Sequence, residues 1–367
     1  MRNRLGLLGV LAVGLALSSC DEAAPEAEPG PTTPPSSESS PPDPVQPPPS
    51  APGPITIAFA GDIHFEGALR DRLDDPASAL APVTQALAAA DVAIVNLETS
   101  VGEGGRPEPG KRFTFQAPPS AFTALAEAGV DVATMANNHA LDYGREALPS
   151  TFAAIGDAPL AVVGIGRNAR EAFRPAVADV RGVVVATLGA TIAATDPTAD
   201  PTGQWAATRS RAGTADAVDP RLLLRAVARA NSAADVVVVY MHWGIQGESC
   251  PGARQRELAA ELVRRGADVV VGSHAHVLQG DGHVGDGYVA YGLGNYAWYQ
   301  PSADPTGVLT LTIQPERGWD ATVTDAAWEP ARIGPDGLPA RLDARGTREF
   351  EADLADLRTC AGFSEAS

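Results

Sequence analysis

The strongest constraint on this chain is a series of short β-branched runs that each stop at side chains able to hold a cation. Ile55 to Ala60 runs into Gly61-Asp62-Ile63-His64, Asp91 to Val95 into Asn96-Leu97-Glu98, and Val130 to Thr134 is followed closely by Asn137-Asn138-His139. Val236 to Tyr240 ends in Met241-His242-Trp243-Gly244, and Val269 to Val271 in Gly272-Ser273-His274-Ala275-His276. Apolar runs this short, with little polar alternation, suit strands buried on both faces. Helical segments separate them, at Pro76 to Ala90, Pro119 to Ala128, Arg145 to Ile155, Arg221 to Ser232 and Ala253 to Arg265. That βαβα order predicts an α/β fold with a mainly parallel sheet, whose strand ends gather ligands from distant sequence at one edge.

Further strands are expected at Ala161 to Val163 and Val183 to Leu188. Thr191 to Pro220 is rich in Asp, Pro and Thr with little apolar patterning, and reads as a long irregular insertion near the site. Val308 to Ile313 and Ala321 to Trp328 alternate at period two, as antiparallel strands do. No repeat and no second linker divides this part, so residues 55–345 are expected to form one domain, followed by a tail helix over 346–367.

Residues 1–19 have the makings of an export signal: Arg2 and Arg4, an apolar stretch from Leu5 to Leu17, then Leu17-Ser18-Ser19-Cys20. The last four resemble a bacterial lipobox, which implies cleavage before Cys20 and an extracytoplasmic protein tethered to the membrane by lipid on that cysteine. Residues 20–54 are Pro, Ser, Glu and Ala with almost no large apolar side chain, and cannot bury enough surface to offset chain entropy; a semi-extended tether is expected. The remaining cysteines, Cys250 and Cys360, would form a disulfide in an oxidising compartment.

A formal net charge of -18 argues against nucleic acid or an anionic lipid surface as partner. Five of the six histidines stand at the strand ends named above; His283, in the Gly-Asp-Gly-His turn from Gly280, reads as a surface residue. Each motif alone has an ordinary explanation: a turn Asp, a helix-capping Asn, a satisfied core histidine. Together they combine carboxylate, amide and several imidazoles, which suits two borderline-hard divalent ions such as Mn, Fe or Zn.

The ordered series GDIH, VNLETSV, MANNHALDYG, HWG, GSHAHVLQG and YGLGNY, from about Ile55 to Trp298, resembles the CapA family of capsule and poly-γ-glutamate synthesis proteins, within the calcineurin-like metallophosphoesterase superfamily. GIGRNAREA (Gly164 to Ala172) and the segment from Gln255 to His276 add to the likeness. The resemblance implies a four-layer α/β/β/α sandwich. It also implies one metal on Asp62, His64 and His276, a second on Asn138, His242 and His274, Glu98 bridging them, and His139 as proton donor to the leaving group. Glu98 stands where metallophosphoesterases carry aspartate, adding a methylene to the bridge. Asp142, Tyr143 and Asn295 are expected to orient the ligands; Lys111 and Arg112, an adjacent cationic pair, read either as a contact for a substrate anion or as a solvated loop pair.

The resulting expectation is an envelope protein of capsule or poly-γ-glutamate-type polymer biosynthesis that hydrolyses a phosphoester, its partner being the polymer or a phosphorylated precursor. A non-catalytic assembly, export or binding factor that uses the metal site structurally is the alternative. Amide-bond chemistry on the polymer is a third reading.

Overall fold

The structure, a computed structural model, describes residues 53–81, 84–196, 199–299, 304–315 and 321–363. The expected signal segment, the Cys20 lipid site and all but the last two residues of the expected tether lie outside the described residues. Among the described residues no helix is long and apolar enough to cross a membrane.

Two sheets stack face to face. In the first, the strand order is Pro339–Arg341, Ala321–Ile333, Pro305–Pro315, Ile55–Ile63, Val92–Leu97, Val132–Thr134, Ala161–Val163, and Asn295–Ala297 pairs alongside the end of Ile55–Ile63. The four strands from Ile55–Ile63 to Ala161–Val163 are parallel, and the two long late strands are antiparallel, as their period-two pattern predicts. The second sheet runs Asp281–Val284, Gly287–Ala290, Val269–His274, Val236–Trp243, Val183–Thr191, Ala176–Val180, with a parallel centre and antiparallel edges.

Three apolar layers define four layers of structure. Between the sheets, Ile55, Ile57, Phe59, Val92 and Ile94 meet Val185, Val236, Val238, Tyr240, Val269 and Val271. Alternate residues of the same strands point outward, where Ala58, Ala93 and Val95 pack with Phe122 and Leu125 of the helix Ser120–Glu127. On the far side, Val237, Val239 and Val270 cover Leu223 and Val227 of Arg221–Asn231 and Leu258 and Leu262 of Ala253–Arg264. In Arg221–Asn231 the apolar residues recur at helical spacing while Arg221, Arg225 and Arg229 face water, so burial fixes its orientation. Each fully buried leucine contributes about 2 kcal/mol.

The sequence reading differs from the structure at four places. The helix expected over Pro76 to Ala90 shortens to Thr84–Ala88, after a turn region. Ala176–Val180 and the hairpin Asp281–Ala290 extend the second sheet at its two edges. The 191–220 segment is mostly irregular, but Gly213–Thr214 pairs with Ile165–Gly166. The last helix begins at Ala344, capped by Asp343, whose side chain accepts from Arg345 N and Gly346 N. It is no free tail: Phe350 and Leu354 are buried beside Leu278, and Arg358 donates to Asp281 at 2.7 Å. Cys250 and Cys360 are joined, with their Cα atoms 5.6 Å apart.

Candidate metal centre

Parallel pairing delivers the polar strand ends to a common edge. Asp62 lies opposite Asn96 in the first sheet, and His242 lies opposite Ser273 in the second. The two sheets touch there through polar atoms: Tyr240 donates its hydroxyl proton to Ala60 O at 2.9 Å, and His274 N donates to Asp62 Oδ2 at 3.2 Å. Only glycine fits beneath this edge. A Cβ on Gly61 would lie 1.9 Å from Gly294 O, and one on Gly272 would lie 2.1 Å from Trp243 Nε1 and 2.3 Å from Tyr291 O, two atoms already hydrogen-bonded at 2.7 Å.

The side chains converge as two triads that share one carboxylate. Asp62, Glu98 and His276 form the first, and Glu98, His242 and His274 the second, with the ligand atoms of each within 4.8 Å of one another. Glu98 Oε1 lies 3.4 Å from His242 Nε2 and 3.9 Å from His276 Nε2. Asn138 closes the second group, its Oδ1 2.6 Å from His242 Nε2. Asp62, Glu98, Asn138, His242, His274 and His276 are thus brought together as the resemblance implies.

His64 is the exception and stands outside both triads. Its ring stacks on Phe115 at 4.8 Å and meets Trp298 edge-on at 4.2 Å. Its Nδ1 lies 3.1 Å from Glu66 N and its Nε2 3.2 Å from Tyr299 N, so both ring nitrogens face backbone N–H groups. A neutral imidazole can accept from one of these only. The aromatic cage thus holds both ring nitrogens toward the backbone rather than toward either triad.

Charge in the cage follows from burial and proximity. Glu98 is fully buried and neither of its oxygens has a hydrogen-bond partner among the described residues. Burial, reinforced by the neighbouring Asp62, raises its carboxyl well above the usual range. An orphaned buried carboxylate between imidazoles is costly without a cation, so the residues present fit a divalent metal pair. Burial would raise Asp62 as well, but the His276 hydrogen bond and the nearby imidazoles outweigh it and hold this carboxyl low. Burial lowers His242 to about 3 and puts His274 well below its ordinary value. His276 goes the other way: burial opposes its charge, but Glu98 and Asp62 raise it to about 9. In the metal-free protein a proton on His276 therefore supplies the positive charge that the carboxylates demand.

A second circle of polar groups orients these ligands. Asn96 donates to Asp62 Oδ1 at 2.7 Å, and Asn137 Nδ2 donates to Asn96 Oδ1 and to Leu97 O. Ser273 Oγ lies 3.0 Å from His242 Nδ1, and Asn295 Oδ1 lies 2.8 Å from His276 Nδ1. His274 and His276 both have positive φ, 91° and 58°, a region side chains other than glycine rarely occupy. Sequence reasoning passed over Asn96 and Ser273 as site residues; their signal was position, since each directly precedes or pairs with a ligand at a strand end. Tyr143, grouped with the orienting residues from sequence, lines a groove with Arg106, Arg145 and Trp205.

His139 faces the cage, with Nε2 3.7 Å from Glu98 Oε1 and Nδ1 2.5 Å from Asp142 Oδ2. Phe115 stacks on its other face at 4.2 Å. Burial, and then the Lys111 charge, push its imidazole well below its ordinary value. Burial raises Asp142 to about 7, against the pull of Lys111. Lys111 itself points inward, not toward a substrate: its Nζ lies 2.5 Å from Asp142 Oδ1 and the side chain is 3% exposed. Arg112 is exposed and lies against the Phe113 ring at 4.9 Å. His283 is exposed on an edge strand, where it meets Tyr288 edge-on.

The sequence profile of the bacterial capsule synthesis proteins, PGA_cap, matches residues 56–300, which include every ligand of both triads. The chain belongs to this family. A capsule biosynthesis protein CapA of Bacillus anthracis is 36% identical over 194 residues, covering 52% of this chain and 45% of that protein. A PGA biosynthesis protein CapA of Bacillus subtilis is 31% identical over 191 residues, 52% of this chain and 48% of the relative. The aligned region thus spans about half the length of these two relatives. A Mycobacterium tuberculosis protein described as a probable polyglutamine synthesis accessory protein is 27% identical over 276 residues, 65% of this chain and 70% of its own. Among solved structures, a phosphatase of Mycoplasma pneumoniae aligns with 82% of this chain and 99% of its own, at 12% identity and a TM-score of 0.47.

Proposed function

We propose that this family member is a metal-dependent phosphoester hydrolase serving the synthesis of an anionic envelope polymer or the turnover of its phosphorylated precursor. The observation that carries the reading is the shared carboxylate: Glu98 belongs to both triads, and neither of its oxygens has a hydrogen-bond partner among the described residues. When bound, two divalent ions supply Lewis acidity that polarises a phosphoryl group and activates water. Asp62 and His276 would hold one ion, His242, His274 and Asn138 the other, and Glu98 both.

The remaining chemistry falls to the chain. His139 presents Nε2 to the cage and is placed to give a proton to a departing alkoxide, while Asp142 holds the opposite nitrogen. Asn96, Asn137 and Asn295 keep the ligand oxygens and rings aimed. Phe115 and Trp298 wall one side of the cage, packed against the His139 and His276 rings.

The names of the Bacillus and Mycobacterium relatives support a role in capsule or polyglutamate-type polymer synthesis. The signal-like N-terminus and Cys20 support lipid tethering outside the cytoplasm, and the Cys250–Cys360 bond supports an oxidising compartment. The test is metal analysis of purified protein together with turnover of bis(p-nitrophenyl) phosphate in added Mn. Bound metal with turnover that His139→Ala abolishes supports the hydrolase. Bound metal without turnover on any activated mono- or diester leaves the assembly or binding role in its place.

A further inference from the structure

We propose that Lys111, the only lysine of the chain, is a positioning residue that fixes the His139 ring by gripping both Asp142 and the main-chain oxygen of Asn138. The inference deepens the hydrolase reading, since His139 is its proton donor.

An ammonium group has three N–H bonds and no acceptor. At Lys111 two of them meet Asp142 Oδ1 and Asn138 O, and the Nζ sits 4.6 Å from the centre of the Trp205 ring. The third N–H has the Trp205 ring beside it, and the side chain is closed off from solvent. The cation is part of the wall behind His139.

Its effect passes through Asp142. One oxygen of that carboxylate takes Lys111, and the other accepts from Phe115 N at 2.7 Å and faces His139 Nδ1 at 2.5 Å. With both oxygens assigned, the carboxylate cannot rotate, and it accepts from Nδ1–H of His139. Nε2 is then the nitrogen left toward Glu98, and it has a proton to give only when the ring is doubly protonated, a form that the Asp142 carboxylate stabilises. The same ammonium ties the Asn138 main chain, so the turn carrying a metal ligand and the proton donor is clamped from one point. Lys111 N also donates to Glu108 O and Glu108 N to Asp142 O, which lock the loop that delivers Phe115 onto the His139 ring. A lysine suits the place better than an arginine because its donors diverge from a single atom toward a carboxylate, a carbonyl and a ring, whereas a planar fork serves paired oxygens.

The experiment reads the His139 tautomer in metal-free, 15N-histidine-labelled protein by long-range 1H–15N NMR, with the resonance assigned by its loss in His139→Gln. Wild type is expected to show His139 protonated at Nδ1. Lys111→Met, checked for cooperative melting, should lower the Nδ1–H fraction at least twofold. It should also lower kcat on bis(p-nitrophenyl) phosphate about tenfold or more with KM unchanged, because Lys111 does not touch substrate. Should Lys111→Met not fold, Lys111→Gln, which keeps a hydrogen bond but not the charge or the third donor, is read for the same loss. A folded variant with the wild-type tautomer fraction overturns the proposal. A tautomer shift in a protein with no turnover keeps the positioning role and discards the hydrolase reading; turnover with an unmoved tautomer does the reverse.

Discussion

The two sheets bring different chemistry to the centre and hold it by different means. The first sheet supplies oxygen ligands, Asp62, Glu98 and Asn138, and secures them with a chain of amide hydrogen bonds through Asn96 and Asn137. The second supplies imidazoles, His242, His274 and His276, and secures the last two by backbone conformation, with positive φ at both and no room for a side chain at Gly272. A hydrogen-bonded half can lose one member and relax, whereas a half held by packing and backbone strain fails as a unit.

That contrast can be broken most completely at the residue common to both halves. Glu98→Gln keeps the size and removes the charge; on the proposed two-ion reading it should abolish metal binding, measured by mass spectrometry, and leave turnover at background. Gly272→Ala tests the packed half: its Cβ would overlap Trp243 and Tyr291, so several kcal/mol of stability should be lost, read as an early urea midpoint or insoluble protein. Removing the bond behind that half in Cys250→Ser, which opens a loop of sequence separation 110, should cost about 4 kcal/mol in chemical denaturation while metal ligands stay in place. Asn96→Ala tests the hydrogen-bonded half and should weaken metal binding roughly 10–100-fold in calorimetric titration without a comparable loss of stability.

The smallest effect separates the halves by pH. His276 has its pKa raised from 6.5 to about 9 in the metal-free fold, so folding takes up a proton there. Its contribution is complete below pH 6.5 and is lost as pH climbs through about 9, so the melting temperature of metal-free protein should decline across that window. Metal must displace the same proton, and calorimetry in buffers of different ionisation enthalpy should show proton release on binding below pH 9. A melting temperature that rises between pH 7 and 9 would contradict the assignment of the cage's positive charge to His276.

The sequence was legible where one element carried its own signal. Val236 to Tyr240 could only be a buried strand, and His242 at its end could be placed at a sheet edge before any partner was known. Asp62 and Glu98 could be placed together because their strands end at one edge of a parallel sheet, whereas His276, which follows a strand of the other sheet, joined them only through the family resemblance. Orientation was not legible. Nothing in Asp62-Ile63-His64 foretells that Phe115 and Trp298, 51 and 234 residues further on, cage the His64 ring against backbone donors. Lys111 beside Arg112 reads as a pair facing either a substrate anion or solvent, and only the turn holding Asn138 and Asp142 makes one of them a buried cation. The hairpin Asp281–Ala290 escaped notice because its turn residues outnumber its apolar ones, and its place depends on Tyr288 and Trp328 both donating to Asp281. These are contacts between distant segments, which local pattern cannot express.

The join between Cys250 and Cys360 has a consequence for the order in which the molecule is completed. Cys250 ends the loop that leaves the sheet just after His242, while Cys360 lies in the final turn of the last helix. The loop behind His242 is therefore closed by a residue 110 positions further along the chain. Until the helix Ala344–Ala361 has been made and docked, both sheets are encoded but the imidazole half stands open on one side.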